Sequence, residues 1–256
     1  MENKPLILIT NDDSITAKGI SFLVKAMKPL GEIVVVAPES PQSGMGHAIT
    51  IHTPLRLKKS NQFDGIESYT CSGTPVDSVK LAIYEVLKRR PDLIVSGINH
   101  GSNAATNILY SGTMSAAVEG AIESIPSVGF SLLDFDKDAD FNAAAHYATK
   151  ISKQVLLNGI PKGTCLNVNI PKGKLETIKG VKICRQGKAF WEDSFDKRQD
   201  PFGNDYFWLT GNFTVLDKGD DTDLAALEQN FVSIVPTQFD MTAHHLIGEL
   251  NEWDLK

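Results

Sequence analysis

The stretch LILITNDD, residues 6–13, sets the class of fold. Its opening run of apolar residues is typical of a strand that is buried on both faces of a parallel sheet. Residues 17–28 then carry apolar side chains at helical spacing, and a second apolar run follows at residues 33–36. This strand–helix–strand order predicts a βαβ unit with a right-handed crossover.

The same alternation continues along the first part of the chain. Further strands are predicted at residues 93–95 and 127–132, and helices over 113–124 and 142–157. Another helix is predicted to begin at Thr74, followed by proline in its first turn. The order predicts an α/β fold in which a Rossmann-like, mostly parallel sheet carries helices on both faces.

The alternation ends near residue 164. Strand-like stretches continue without helices between them, and charged stretches at residues 192–205 and 217–223 are predicted to be loops. We expect a catalytic core over residues 1–163 and a β-rich extension with a C-terminal helix over residues 164–256. The extension either packs on the core or is exchanged with another subunit. The predicted strands of the extension are Cys165–Ile170, Val181–Ile183, Tyr206–Leu209 and Phe231–Val235.

Composition excludes several classes of function. The 256 residues carry a formal net charge of −6, which argues against a surface that grips a nucleic-acid duplex. Apolar runs are shorter than the roughly 18–20 residues that a membrane span needs, and the start of the chain does not fit a signal peptide. The three cysteines are widely spaced, so we expect buried, reduced thiols and a cytoplasmic location.

Polar clusters follow three of the predicted strands. They are residues 11–13, residues 41–44 and residues 96–99. Since ligands of open α/β sheets bind outside the carboxyl ends of the strands, we expect these clusters to converge. Asp12 and Asp13 would repel each other unless a cation lay between them. With serine and asparagine oxygens nearby the donor set favours Mg²⁺, Mn²⁺ or Ca²⁺ over Zn²⁺, whereas helix capping is the alternative role of the two acids.

A second polar feature opens the helix predicted near residue 113. Free backbone N–H groups and the hydroxyls of Ser111 and Thr113 would form an anion site suited to phosphate. An ordinary helix cap is the alternative. Glycines, Gly112 among them, lie around Asn99 and Asn103; they either let the backbone approach a ligand closely or form plain turns.

The histidines and the acidic run near the C-terminus leave alternatives open. His47 and His100 lie in the loops just described, where each could relay a proton or only cap a loop. His244 and His245 could reach the site of a neighbouring subunit. Residues 217–223 are expected to form a solvated loop rather than a second metal site.

Four motifs resemble those of the SurE survival-protein nucleotidases. They are ITNDD at residues 9–13, PQSG at 41–44, SGINHGSN at 96–103 and YSGTMSAA at 110–117. The similarity continues through TDLAA at 222–226, VSI at 232–234 and DMT at 240–242, so that it spans nearly the whole chain. Each motif alone is weak evidence for the family, but four motifs in this order and with these spacings are specific to it.

The resemblance implies an enzyme that hydrolyses nucleoside 5′-monophosphates, and also 3′-monophosphates, with one Mg²⁺ or Mn²⁺ ion per subunit. It also implies a homodimer or homotetramer that uses the C-terminal extension. The implied metal ligands are Asp12, Asp13, Ser43 and Asn99, of which Asp12, Asp13 and Asn99 are expected to be catalytic. The implied phosphate and substrate contacts are Ser43, Gly44, Asn103, Ser111, Gly112 and Thr113.

The sequence departs from the family pattern at two positions. Ser14 stands where the family usually has glycine, so the sequence does not fix the backbone conformation of that loop. Phe202 stands where a basic residue is expected. Neither position is an implied metal ligand. A departure of this kind could alter a loop conformation or a distal contact.

Proteins of other classes use similar motifs. A non-catalytic nucleotide or phosphate sensor would use the same edge of the sheet, and phosphate release from adenosine monophosphate distinguishes it from an enzyme. A phosphoacceptor receiver needs an aspartate after its third strand, where this chain has residues 96–99. An aspartyl-phosphate phosphatase needs a DxD pattern, whereas Asp12 and Asp13 are adjacent.

Overall fold

The structure, a computed structural model, describes residues 4–255. Residues 1–3 and 256, at the outer ends of the two predicted regions, lie outside this range. The described residues contain a nine-stranded sheet in the order β3-β4-β2-β1-β5-β6-β7-β11-β8 and a two-stranded sheet of β9 and β10. The strands are β1 (Leu6–Thr10), β2 (Glu32–Pro38), β3 (Leu57–Lys59), β4 (Glu67–Cys71), β5 (Leu93–His100), β6 (Ser127–Leu132), β7 (Thr164–Ile170), β8 (Val181–Ile183), β9 (Ala189–Gln199), β10 (Asp205–Val215) and β11 (Val232–Gln238).

Helices cover both faces of the large sheet. One pair lies on one face and another pair on the opposite face, while two short helices follow late in the chain. The first pair is α1 (Lys18–Met27) and α4 (Asn142–Asn158), the second is α2 (Pro75–Leu81) and α3 (Gly112–Ile122), and the short helices are α5 (Asp223–Glu228) and α6 (Ile247–Asn251). Strands β4, β2, β1, β5, β6 and β7 run parallel, so the predicted Rossmann-like α/β fold is confirmed.

The apolar run of β1 forms the centre of the core. Ile7 and Ile9 face the side of the sheet that α1 and α4 cover, whereas Leu6 and Leu8 face the side of α2. All four side chains are buried. Because successive residues of a strand point to opposite faces, a strand covered on both sides must be apolar throughout.

The start of α2 follows the predicted pattern. Thr74 is the N-cap, and its hydroxyl oxygen accepts a hydrogen bond from the backbone N–H of Asp77 (3.1 Å). The Asp77 carboxylate in turn accepts one from the Thr74 N–H (2.9 Å), which completes a reciprocal capping box. The same carboxylate binds the hydroxyl of Thr50, so that this cap also anchors the chain that follows β2.

The second half of the chain differs from the prediction in two elements, a strand within the predicted loop 192–205 and the helix α5 between β10 and β11, where no helix is predicted. The expected loop over residues 192–205 is wrong for residues 192–199, which belong to β9, and for residue 205, which begins β10. The whole of β9 pairs antiparallel with β10 over eleven positions. Almost every residue of β9 is exposed, and its sequence mixes aromatic and charged side chains instead of forming an apolar run. Strands β7, β11 and β8 instead continue the main sheet.

The cysteines and the helices agree with the expectations from composition. Cys71, Cys165 and Cys184 are buried and free, and burial raises the pKa of the Cys165 thiol to about 12. Within residues 4–255, no helix combines the length and the apolar composition that crossing a lipid bilayer requires.

Candidate active site

The predicted polar clusters meet at the carboxyl edge of the sheet. Strands β1 and β5 are parallel neighbours, with Thr10 opposite Ser96, and β2 lies on the other side of β1. The carbonyl oxygen of Asp12 accepts a hydrogen bond from the backbone N–H of Gln42 (2.7 Å). On the other side, the Asp13 carboxylate lies 3.4 Å from the backbone nitrogen of His100. The loops after β1, β2 and β5 are therefore joined around the acidic pair.

The first turn of α3 lies directly against Asp12. The hydroxyl of Thr113 donates a short hydrogen bond to Oδ1 of Asp12, at 2.5 Å. A Cβ atom at Gly112 would lie only 2.7 Å from Cβ of Asp12. Glycine at this position thus allows a buried carboxylate to touch the beginning of a helix, where free N–H groups attract negative charge.

Burial makes the acidic pair electrostatically unfavourable. Burial and the neighbouring Asp13 raise the pKa of Asp12 to about 6, although hydrogen bonds from Thr113 oppose the shift. Burial also raises the pKa of Asp13, against a smaller opposing effect of His100. Among the described residues, no lysine or arginine forms an ion pair with either carboxylate. An oxygen-rich, half-enclosed pair of this kind fits a divalent cation, which would relieve the repulsion.

Asn99 and Ser43 each lie one residue along the chain from a residue that is bonded to this pair, Asn99 before His100 and Ser43 after Gln42. Asn99 lies in the last two residues of β5, and its amide nitrogen donates to the carbonyl oxygen of Gly101 (3.0 Å), which directs Oδ1 away from that contact. Ser43 is exposed and follows Gln42, the residue bonded to Asp12. Its neighbour Gly44 has a positive φ of 75° and open space around it. The predicted role of both side chains as metal ligands stays a prediction.

Ser111 acts as the N-cap of α3, the alternative that the sequence left open. Its hydroxyl oxygen accepts a hydrogen bond from the backbone N–H of Met114 (3.0 Å). A cap of this kind fixes the first turn of the helix, and with it the backbone N–H groups of Gly112 and Thr113. Capping by Ser111 and anion binding by the amides that follow it are compatible.

Asn103 holds the segment between β5 and α3 against the neighbouring strands. It is buried, and its amide nitrogen donates to the hydroxyl of Ser131 (2.7 Å). Its backbone N–H and carbonyl bind the side chains of Asn169 and Asn167 on β7. These contacts fix the segment between β5 and α3, and the predicted contact of Asn103 with substrate stays a prediction.

The two departures from the family pattern have different structural consequences. Ser14 is buried and has φ of 86°, a left-handed conformation that favours glycine. Its carbonyl oxygen accepts a hydrogen bond from the amide of Asn11 (2.7 Å), and its hydroxyl lies 3.0 Å from that of Thr16. The loop therefore keeps the glycine-type backbone. Phe202, by contrast, lies in the turn between β9 and β10 and is 90% exposed.

The histidines of the site loops hold the loops in place. The imidazole of His47 lies 2.9 Å from Oε2 of Glu119, a buried residue of α3 that also pairs with Lys80. Burial alone would raise the pKa of Glu119, but His47 and Lys80 together lower it below its usual value. The ring of His100 packs edge-on against Phe141 at 4.8 Å. Within residues 4–255, neither imidazole forms a hydrogen bond with the acidic pair.

The acidic run near residue 220 contains one buried carboxylate that the sequence did not single out. Asp223 is fully buried, and its two oxygens accept hydrogen bonds of 2.8 Å from the backbone N–H groups of Ala105 and Gly187, and from that of Leu224. The exposed part of the run is different, because the guanidinium of Arg185 lies between Asp217 and Asp221.

Asp223→Ala is expected to lower the free energy of unfolding by roughly 2–4 kcal/mol, because three backbone donors lose their acceptor in a buried place. Urea denaturation followed by circular dichroism measures this change. Asp220→Ala, at an exposed position of the same run, serves as the matched control and is expected to have no effect. Equal stability of the two variants would contradict a structural role of Asp223.

The fold and the site together define a class of protein. It is a Rossmann-like α/β protein that holds an acidic pair, a hydroxyl and an amide at the carboxyl edge of its sheet, next to the start of a helix. Such an edge is where proteins of this architecture bind their ligands.

The comparison with known proteins identifies the family within this class. The chain belongs to the SurE family, because the family model described as "Survival protein SurE" matches residues 7–193. The protein named 5′-nucleotidase SurE from Flavobacterium psychrophilum is 59% identical over 254 residues, covering 99% of both chains. Its namesake from Flavobacterium johnsoniae is 59% identical over 255 residues, covering 99% of this chain and 98% of that protein.

A solved structure supports the same family assignment. The crystal structure of the SurE protein from Aquifex aeolicus has a TM-score of 0.84 and 38% sequence identity, covering 96% of this chain and 98% of that one. The resemblance inferred from the four motifs is therefore confirmed.

Proposed function

We propose that the protein is a divalent-metal-dependent phosphomonoesterase, which hydrolyses nucleoside 5′-monophosphates to nucleoside and phosphate. The observation that carries this proposal is the contact of the buried Asp12, the first member of the acidic pair, with the first turn of α3. It combines a place for a cation with a place for a phosphate group at one edge of the sheet. The names of the relatives from two Flavobacterium species support the 5′-nucleotidase activity. Hydrolysis of 3′-monophosphates is proposed from the family resemblance alone.

The proposed cation ligands are Asp12, Asp13, Ser43 and Asn99. This set offers only oxygen donors, which suits one Mg²⁺ or Mn²⁺ ion. Binding of a cation would relieve the mutual repulsion of Asp12 and Asp13. When bound, the cation would neutralise phosphate charge and lower the pKa of a water molecule.

The chain's own groups would bind and orient the ester. Backbone N–H groups of Gly112 and Thr113 at the start of α3 would hold phosphoryl oxygens and stabilise the charge that develops in the transition state. A carboxylate of the acidic pair would accept the proton of the attacking water. Gly112 brings these two functions into contact, since any side chain there would separate Asp12 from the helix.

Phosphate release from adenosine 5′-monophosphate tests the proposal. Purified protein is expected to release phosphate with Mg²⁺ or Mn²⁺, to stop in excess chelator and to resume when the cation is restored. A colorimetric phosphate assay measures this, with adenosine 3′-monophosphate as a second substrate. A sensor would bind the nucleotide without releasing phosphate under any of these conditions. Undiminished turnover in chelator would refute the metal requirement.

We also propose that the protein is cytoplasmic and that it forms a homodimer or homotetramer through its C-terminal region. Large apolar side chains are exposed on the β9–β10 hairpin and beyond β11, which supports self-association. Examples are Phe195, Trp208, Met241 and Trp253. Light scattering coupled to gel filtration measures the molar mass, and a monomer at micromolar concentration would contradict this assembly.

A further inference from the structure

We propose that the nucleoside part of the substrate binds in a cavity between the segment 105–110 and the β9–β10 hairpin, with its base against Tyr110 and Trp191. The inference rests on the proposed function and adds where the base is recognised and by what chemistry. The cavity has a volume of about 770 Å³, within the range of small-molecule sites. Its lining includes Gly44, Thr106 and Asp193 besides these two rings and a third aromatic residue, Phe190.

The cavity is lined by residues that adjoin the candidate phosphate site along the chain. Tyr110 immediately precedes Ser111, the cap of α3, and Gly44 immediately follows Ser43, a proposed cation ligand. A hydrogen bond between the N–H of Gly46 and the carbonyl of Tyr110 (3.3 Å) closes the gap between these two segments. A nucleotide whose phosphate lies at the start of α3 can therefore place its nucleoside in this cavity.

Two rings in the cavity offer faces for stacking. Tyr110 is 61% and Trp191 45% exposed, and both line the cavity, so part of each ring is accessible to a ligand there. Aromatic rings stack on any base, because every base has a π face. The cavity therefore favours a purine or pyrimidine nucleoside over a phosphate ester without a ring.

Trp191 is held in place before any ligand arrives. Its indole N–H donates to the side-chain oxygen of Asn107 (2.8 Å), and its ring packs against Phe213 with 5.3 Å between ring centroids. The hydroxyl of Thr106 donates to the carbonyl of Ala189, which ties the base of the hairpin to the same segment. A ring fixed in this way loses little conformational entropy on binding.

The charge in the cavity sets the direction of the substrate. The Asp193 carboxylate would repel a phosphate group but can accept hydrogen bonds from ribose hydroxyls or from amino groups of a base. The donors at the start of α3 favour the opposite end of the molecule. The nucleotide is thus expected to bind with its phosphate at Gly112 and its nucleoside at Asp193.

The strand register provides a matched control on the same hairpin. Trp191 pairs with Phe213 and Leu209 with Phe195, so these four side chains share one face. Trp208 is the residue next to Leu209 in β10, and its side chain therefore points to the other face of the hairpin. Trp208→Ala therefore removes an exposed tryptophan of the same hairpin that does not line the cavity, and light scattering shows whether its molar mass equals that of the wild type.

The experiment compares adenosine 5′-monophosphate with ribose 5-phosphate, which has the sugar phosphate but no base. Trp191→Ala is expected to lower kcat/KM for adenosine 5′-monophosphate by roughly ten- to a hundredfold, mainly through KM, and to leave ribose 5-phosphate almost unaffected. Trp191→Phe should retain most of the activity, and Trp208→Ala should match the wild type with both esters.

Three results would overturn the inference. An equal loss with both esters would assign Trp191 to holding the hairpin, and unchanged kinetics would place the base elsewhere. A changed molar mass of Trp191→Ala in light scattering would show that a second copy of the chain covers the cavity. If the wild type released phosphate from neither ester, the proposed function would fail; calorimetric binding of adenosine 5′-monophosphate to wild type and Trp191→Ala then decides the cavity, and equal affinities refute it.

Discussion

Asp12→Asn is expected to lower the rate of phosphate release on the order of a thousandfold at saturating Mg²⁺. The change keeps the size of the side chain and an oxygen that can accept the Thr113 hydrogen bond, but it removes the negative charge. A cation between two carboxylates would be held by one carboxylate only. Initial rates with adenosine 5′-monophosphate measure the effect, and circular dichroism shows whether the fold is retained.

The stability of the same variant provides an independent check. In chelator, the raised pKa of Asp12 means that its ionised form destabilises the folded protein. The stabilising contribution of the protonated group is complete below pH 3.8, the pKa without burial, and is lost as the pH rises through about 6. Asp12→Asn lacks this titration, so it should be at least as stable as the metal-free wild type at pH 7. Wild-type turnover by this variant would refute the role of the acidic pair.

Much of the fold could be predicted from the sequence because both faces of the central strands are covered. A strand in that position must be apolar throughout, as residues 6–9 are, and such a run is visible without any partner. β9 is exposed along almost its whole length, so it mixes Phe190, Glu192 and similar residues in a sequence that resembles a charged loop. β3 and β4 were not predicted for the same reason, since many of their residues are only partly buried.

Some residues of the candidate site could likewise be predicted from the sequence, and others could not. Asp12, Asp13 and Asn99 could be predicted because parallel strands bring their carboxyl ends to one edge, whatever the loops do afterwards. Glu119 and Asp223 could not, because their partners His47 and Ala105 are 72 and 118 positions away along the chain. Only the folded structure shows that these two carboxylates hold the loops of the site.

Gly112→Ala is expected to lower kcat/KM by roughly a hundredfold through displacement of Asp12. The added Cβ would lie 2.7 Å from Cβ and 3.0 Å from Oδ2 of Asp12, too close for either atom to stay in place. The backbone itself tolerates alanine, because Gly112 is the first residue of α3 and alanine is the better helix former. Phosphate release measured over a range of adenosine 5′-monophosphate concentrations quantifies the loss.

Gly248→Ala is the matched control for this prediction, since it makes the same change in α6, where an added Cβ meets nothing within 4 Å. It should leave both activity and the urea midpoint unaltered. A loss of activity in Gly112→Ala with a nearly unchanged urea midpoint would locate the effect at Asp12 rather than in the fold. Wild-type kcat/KM in Gly112→Ala would show that catalysis does not depend on the contact between the acidic pair and the first turn of α3, and the proposed arrangement would be wrong.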